Sequence, residues 1–103
     1  MGRYKSRTID NSGNISIPHT LRKKLGLKNG TRFLLLHVDT VVILQKTENK
    51  PEADNIVCIL DDLGRIELSH ESRQKSGWET KDRIAVYNID NLVILKLDEK
   101  YKE

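Results

Sequence analysis

The sequence predicts a mostly β fold with short helices, in which two tandem copies of a ββαββ unit complete one barrel. Three observations predict it. The chain matches itself without a gap at an offset of 51 residues. Each copy alternates polar and apolar residues over short stretches, separated by turns rich in glycine, asparagine and aspartate. A single copy of about fifty residues would bury only a marginal core, so two copies gain by sharing one.

The self-match joins residues of every kind. Asp10, Gly13, Ile15, His19, Arg22, Lys24 and Gly26 meet Asp61, Gly64, Ile66, His70, Arg73, Lys75 and Gly77. Further on, Arg32, Asp39, Val42, Ile43 and Leu44 meet Arg83, Asp90, Val93, Ile94 and Leu95. Glycines, charges and apolar positions do not align together over such a length by chance. The first unit covers residues 5–46 and the second 56–97. The polar, proline-containing stretch 47–55 between them reads as a linker.

The elements follow in order. Residues 5–10 read as a strand with one dry end, and 14–17 alternate as a half-buried strand does. Asp10-Asn11-Ser12-Gly13 is a turn between them, so 5–17 reads as a β-hairpin. Pro18 stops the strand and suits the first turn of a helix. His19 to Leu25 is that helix, with Leu21 and Leu25 inward and Arg22, Lys23 and Lys24 on its outer side. Gly26 stands where a left-handed C-cap belongs. Residues 31–38 and 41–46 are apolar strands joined tightly at Asp39-Thr40. The second unit repeats this at 56–61, 64–68, about 70–76, 82–89 and 92–97. One unit alone leaves strand edges open, and pairing two units covers them.

Composition excludes several classes. Hydrophobic residues are 37% and aromatics 5%, so the core is aliphatic, and 32% charged residues give a soluble profile. Apolar runs such as 33–36 and 41–44 are far too short to span a bilayer, and the N-terminus lacks the apolar stretch of a signal peptide. The single cysteine, Cys58, excludes an internal disulfide framework and fits a reducing cytoplasm. Net charge is +3 but unevenly spread. Residues 1–50 hold ten Lys/Arg against three acids, a charge of +7, while 51–103 hold eight against twelve, a charge of −4. A basic half points to a polyanion, most often nucleic acid.

The motifs also carry a resemblance. The first copy runs Ile9-Asp-Asn-Ser-Gly-Asn-Ile-Ser-Ile-Pro-His-Thr-Leu-Arg-Lys-Lys-Leu-Gly-Leu27. The second runs Leu60-Asp-Asp-Leu-Gly-Arg-Ile-Glu-Leu-Ser-His-Glu-Ser-Arg-Gln-Lys-Ser-Gly-Trp78. Turn, proline, helix and C-cap in this order, followed by two apolar strands, resemble the SpoVT–AbrB family of regulators. The resemblance implies a swapped-hairpin AbrB-like barrel, here with both copies in one chain as in MraZ-like tandem members. It also implies contact with double-stranded DNA through the first hairpin and helix. Matched by position, the first copy offers Arg7, Arg22 and Lys23, with Asn14 where an arginine is common. The second offers Arg65 and Arg73, but has Cys58 and Gln74 at basic positions, Glu67 and Glu71 nearby, and Ser69 in place of the proline. The basic first copy is therefore the expected DNA-facing half.

Arg7, Arg22, Lys23 and Lys24 are the main candidates, followed by Lys5, Asn14, Arg65 and Arg73. Arginine suits the task because its planar fork binds phosphate or guanine through two donors. His19 and His70 occupy equivalent positions, but without a Cys/His cluster no metal is expected. Asp61-Asp62 reads as a turn former, Trp78 as core, and Cys58 as a partly buried strand residue. No catalytic set emerges, so no enzyme, cofactor or small-molecule substrate is expected. The charge split suggests a homodimer that sets two basic copies on one duplex. The other reading is an antitoxin of the MazE or related kind, or another interaction module on the same barrel. Such an antitoxin carries a long tail that wraps its partner, and only 98–103 follow the last strand here, which counts against it.

Overall fold

The computed structural model describes residues 2–49 and 52–99. Both halves carry the same elements in the same order. The first has β1 (Gly2–Thr8), β2 (Asn14–Ser16), α1 (His19–Leu25), β3 (Arg32–Val38) and β4 (Val41–Lys46). The second has β5 (Ile56–Ile59), β6 (Arg65–Glu67), α2 (His70–Ser76), β7 (Arg83–Ile89) and β8 (Leu92–Leu97). Both helices, β4 and β8 fall where the sequence puts them. The other strands shift at their ends, most of all β1, which starts at Gly2. Among the described residues, no helix is long and apolar enough to cross a membrane.

Six strands form one antiparallel sheet in the order β1-β7-β8-β4-β3-β5, and β2 pairs with β6 in a separate ribbon. The hairpins β3-β4 and β7-β8 stay within their own halves. The first strands cross over: β1 lies on β7, β5 on β3, and β2 on β6. This is a swapped-hairpin barrel with the exchange made inside one chain. The hairpin expected over 5–17 is corrected by it. The turn closes, with Asp10 N donating to the Asn14 carbonyl at 2.9 Å and Gly13 N to the Asp10 carbonyl at 3.0 Å. Beyond it β1 and β2 part, because strands of the other half take up the backbone groups of both.

The register locates the twofold relating the halves. Ile15 opposes Ile66 in the ribbon, and Ile43 opposes Ile94 at the centre of the sheet. Each pair is equivalent under the 51-residue offset. Ribbon, sheet and helix close on one core, in which Ile15, Ile66, Phe33, Ile84, Leu44 and Leu21 are almost fully buried. Trp78 belongs to it, with Nε1 donating to the Thr40 carbonyl at 3.1 Å. The tight turns after β3 and β7 place Asp39 and Asp90 at φ 54° and 52°, a left-handed conformation that short polar side chains tolerate.

The helices start differently. Pro18 presets its backbone ahead of α1 and makes no side-chain cap. Ser69 replaces it ahead of α2, and its hydroxyl accepts from Ser72 N at 3.1 Å. The substitution thus exchanges a preset φ for a capping hydrogen bond. Ser69→Ala is expected to cost about 1 kcal/mol in a denaturant titration, while Pro18→Ala loses the backbone restraint together with the packing of a buried ring.

Cys58 is buried on β5, and burial pushes its thiol up to about 12. Because the folded value lies above that of a free thiol, its contribution to stability is complete below pH ~9 and is lost as pH climbs toward 12. The native protein at pH 8 is expected to react with a thiol reagent only as fast as it opens, and quickly once denaturant unfolds it. Rapid native labelling would place the thiol outside the core.

Candidate nucleic-acid interface

The ribbon β2-β6 lies on the core opposite the sheet, since Ile15 and Ile66 join the same cluster as the inward residues of β3 and β7. Asn14 and Ser16 face Glu67 and Arg65 across it. Each ribbon strand emerges from a turn built the same way. The Asp10 carboxylate accepts from Ser12 N and Asn14 N, both at 2.9 Å. The Asp61 carboxylate accepts from Leu63 N at 2.9 Å and Arg65 N at 2.8 Å. These backbone hydrogen bonds, from Asn14 and Arg65 above all, hold both carboxyls below the usual aspartate value. Asp61 also holds the Arg65 guanidinium, Nε to Oδ2 at 3.0 Å. Asp61-Asp62 thus opens a turn, as the sequence indicated.

The exchange seats each helix against the turn of the other half. Ile17 N donates to the Gly64 carbonyl at 2.9 Å, and Leu68 N to the Gly13 carbonyl at 2.8 Å. Arg22 is half-buried there, not splayed outward from α1 as expected. Its Nε donates to the Ile17 carbonyl at 2.9 Å, and its guanidinium lies over Gly64, where a Cβ would overlap it. Arg73 repeats this contact, Nε to the Leu68 carbonyl at 3.1 Å, beside Gly13. Both arginines therefore hold a helix, a strand end and the opposite turn together. One signal of this lies in the sequence: Arg22 and Arg73 are identical, while their neighbours Lys23 and Gln74 differ. The exposed pair Lys24 and Lys75 is identical too, so identity between the copies does not by itself mark a scaffold position.

The remaining candidates divide by location. Lys23 and Lys24 are exposed on α1, the helix that Arg22 ties to the β5-β6 turn. Arg7 opposes Ile84, so it shares the inner face of the sheet with core positions. It is half-buried, with Nε enclosed and lacking a hydrogen-bond partner among the described residues, so its stem packs at the barrel edge. Lys5 falls at the register shift between Tyr4 and Arg7, exposed and one residue out of phase with inward-packed Tyr4, so it belongs to the other side of the sheet. The structure thus sets Arg22 against the turn that carries Arg65 at one end of the ribbon and Arg73 against the turn before Asn14 at the other, and it leaves Lys23 and Lys24 exposed on α1. It also brings the basic helix beside the acidic Asp61-Asp62 turn, so the charge split along the chain does not become a basic and an acidic side.

These features define a swapped-hairpin barrel of the AbrB/MazE type. Residues 6–52, which hold β2, α1, β3, β4 and the last three residues of β1, match the family profile described as antidote-toxin recognition MazE, bacterial antitoxin. The match covers the first half of the chain, and the exchanged topology agrees with it in an AbrB/MazE-like swapped-hairpin fold, the level at which the resemblance to SpoVT–AbrB proteins holds. A comparison with curated proteins finds no match.

Proposed function

We propose that the protein is a DNA-binding transcriptional regulator of the AbrB type, acting in the cytoplasm, that meets duplex DNA with the ribbon end formed by α1 and the β5-β6 turn. The observation that carries this reading is the run Arg22-Lys23-Lys24 in the last turn of α1. Two of its cations are exposed, and the third is fixed beside the turn that presents Arg65. Lys23 and Lys24 supply mobile charge for phosphates, and Arg65 a fork whose geometry Asp61 sets. Arg22 acts by holding the two parts in place. Nothing in this arrangement reads bases by a long recognition helix, so sequence preference comes from the ribbon side chains and DNA shape. Fluorescence anisotropy with duplex DNA is expected to show binding that weakens linearly in log K against log salt. Absence of binding at low salt overturns the reading.

The profile match favours a second reading, an antitoxin whose barrel serves toxin recognition. The segment after β8, on which the tail argument rests, lies outside the described residues beyond Glu99. A stable complex with a toxin, formed by a chain that ignores DNA at low salt, would decide for this reading.

A further inference from the structure

The outer face of the six-stranded sheet is apolar where a wet face would be polar. In an antiparallel sheet with one solvated side, the positions alternating with the core carry polar residues. Here Leu36 and Val38 on β3 are 41% and 54% exposed, and Ile89 on β7 is 45% exposed. The register links such positions across the sheet. Leu36 opposes Ile43, Ile43 opposes Ile94, and Ile94 opposes Tyr87. This row crosses four strands without a charge, and the charges on this face lie at its margins, Arg3 over the Tyr87 ring on the β1 side and Lys96 opposite Val41 near the strand ends. The consecutive apolar residues of β3, β4 and β8 are the pattern of strands covered on both sides, while the ribbon and helices cover only the core side.

We infer that this face is an interface with a second copy of the chain, the two sheets stacking face to face. Footprint, symmetry and charge all select a second copy. Six strands at ~4.8 Å spacing, each some six residues long at ~3.4 Å rise, project on the order of 500 Å², and side-chain relief brings this toward the ~800 Å² per partner of a stable complex. The face is centred on the internal twofold between Ile43 and Ile94, so a copy related by a twofold in the sheet plane meets the same pattern it presents. The charges at the sheet ends fit that operation. Asp39, at the β3-β4 tip, lies at the end of the sheet where β7 begins with Arg83. Asp90, at the β7-β8 tip, lies at the end where β3 begins with Arg32. An in-plane twofold carries each acidic tip toward an arginine-bearing strand start of the other copy. Stacking leaves the ribbons and helices of both copies outward, on opposite sides of the dimer, so the inference stands whether or not they bind DNA.

Light scattering on the full chain, over concentrations up to ~0.2 mM, tests this. The expected mass at high concentration is twice that of the 11.9 kDa chain. Ile43→Lys is expected to weaken the dimer at least tenfold. Val38→Glu, at an exposed strand end, is expected to do the same while keeping the circular dichroism spectrum and the unfolding midpoint of the monomer. A monomer at every concentration overturns the inference. So does a dimer that a folded Val38→Glu variant leaves as tight as before.

Discussion

Gly64→Ala is expected to destabilise the protein by about 2–4 kcal/mol, and by only about 1–2 kcal/mol when Arg22 is already alanine. Gly64 sits at φ 76°, where a Cβ costs ~1–2 kcal/mol on its own. The added methyl also takes the space of the Arg22 guanidinium, which must then leave the Ile17 carbonyl. Removing Arg22 first removes that second cost. The equivalent Gly13 behaves differently. It sits at φ 84°, and the nearest atom to its Cβ is the Leu68 carbonyl oxygen at 3.0 Å, with Arg73 at 3.4 Å. Backbone yields less than the end of a side chain, so Arg73→Ala is expected to leave the cost of Gly13→Ala nearly unchanged. Chemical denaturation of the two single-mutant pairs and their doubles measures both couplings. Additive costs for Gly64 and Arg22 would mean that the arginine does not rest on the turn.

That contrast bears on how much of the molecule its sequence discloses. The elements were legible because each rests on local chemistry: alternation at 14–16, Pro18 before α1, Gly26 at φ 66° behind it, and Asp39 in a two-residue turn. The shared core was legible from the repeat, since Ile15 and Ile66 meet across the twofold. The pairing was not. Nothing local in residues 5–17 distinguishes strands that pair with each other from strands that part after the turn, because the choice depends on edges half a chain away. The role of Arg22 was hidden for the same reason. On a helical wheel it flanks the inward Leu21-Leu25 stripe, and only the exchanged turn of the other half gives that flank something to hold. The apolar outer sheet face could be read in Leu34-Leu35-Leu36 and Val41 to Leu44, runs in which neither face of the strand is polar.

The separation of structural from contacting cations gives the second large effect, on DNA. Replacing Lys23 and Lys24 together by alanine is expected to weaken duplex binding on the order of 10–100-fold near 0.1 M salt. It should also flatten the slope of log K against log salt by about 2, since each phosphate contact contributes close to one. Both side chains are exposed and appear in no hydrogen bond or ion pair among the described residues, so unfolding free energy should change by no more than ~0.5 kcal/mol. Arg22→Ala should instead lower binding and stability together, because it frees the β5-β6 turn that carries Arg65. Lys5→Ala, on the other side of the sheet, should change neither. The pattern is read from paired anisotropy and denaturation measurements on the same samples. If Lys5 proves as important as Lys23 and Lys24, the duplex lies against the sheet edge, and the ribbon end is not the interface. If Arg22→Ala lowers binding alone, its guanidinium reaches DNA directly, and the seat on Gly64 yields when the duplex arrives.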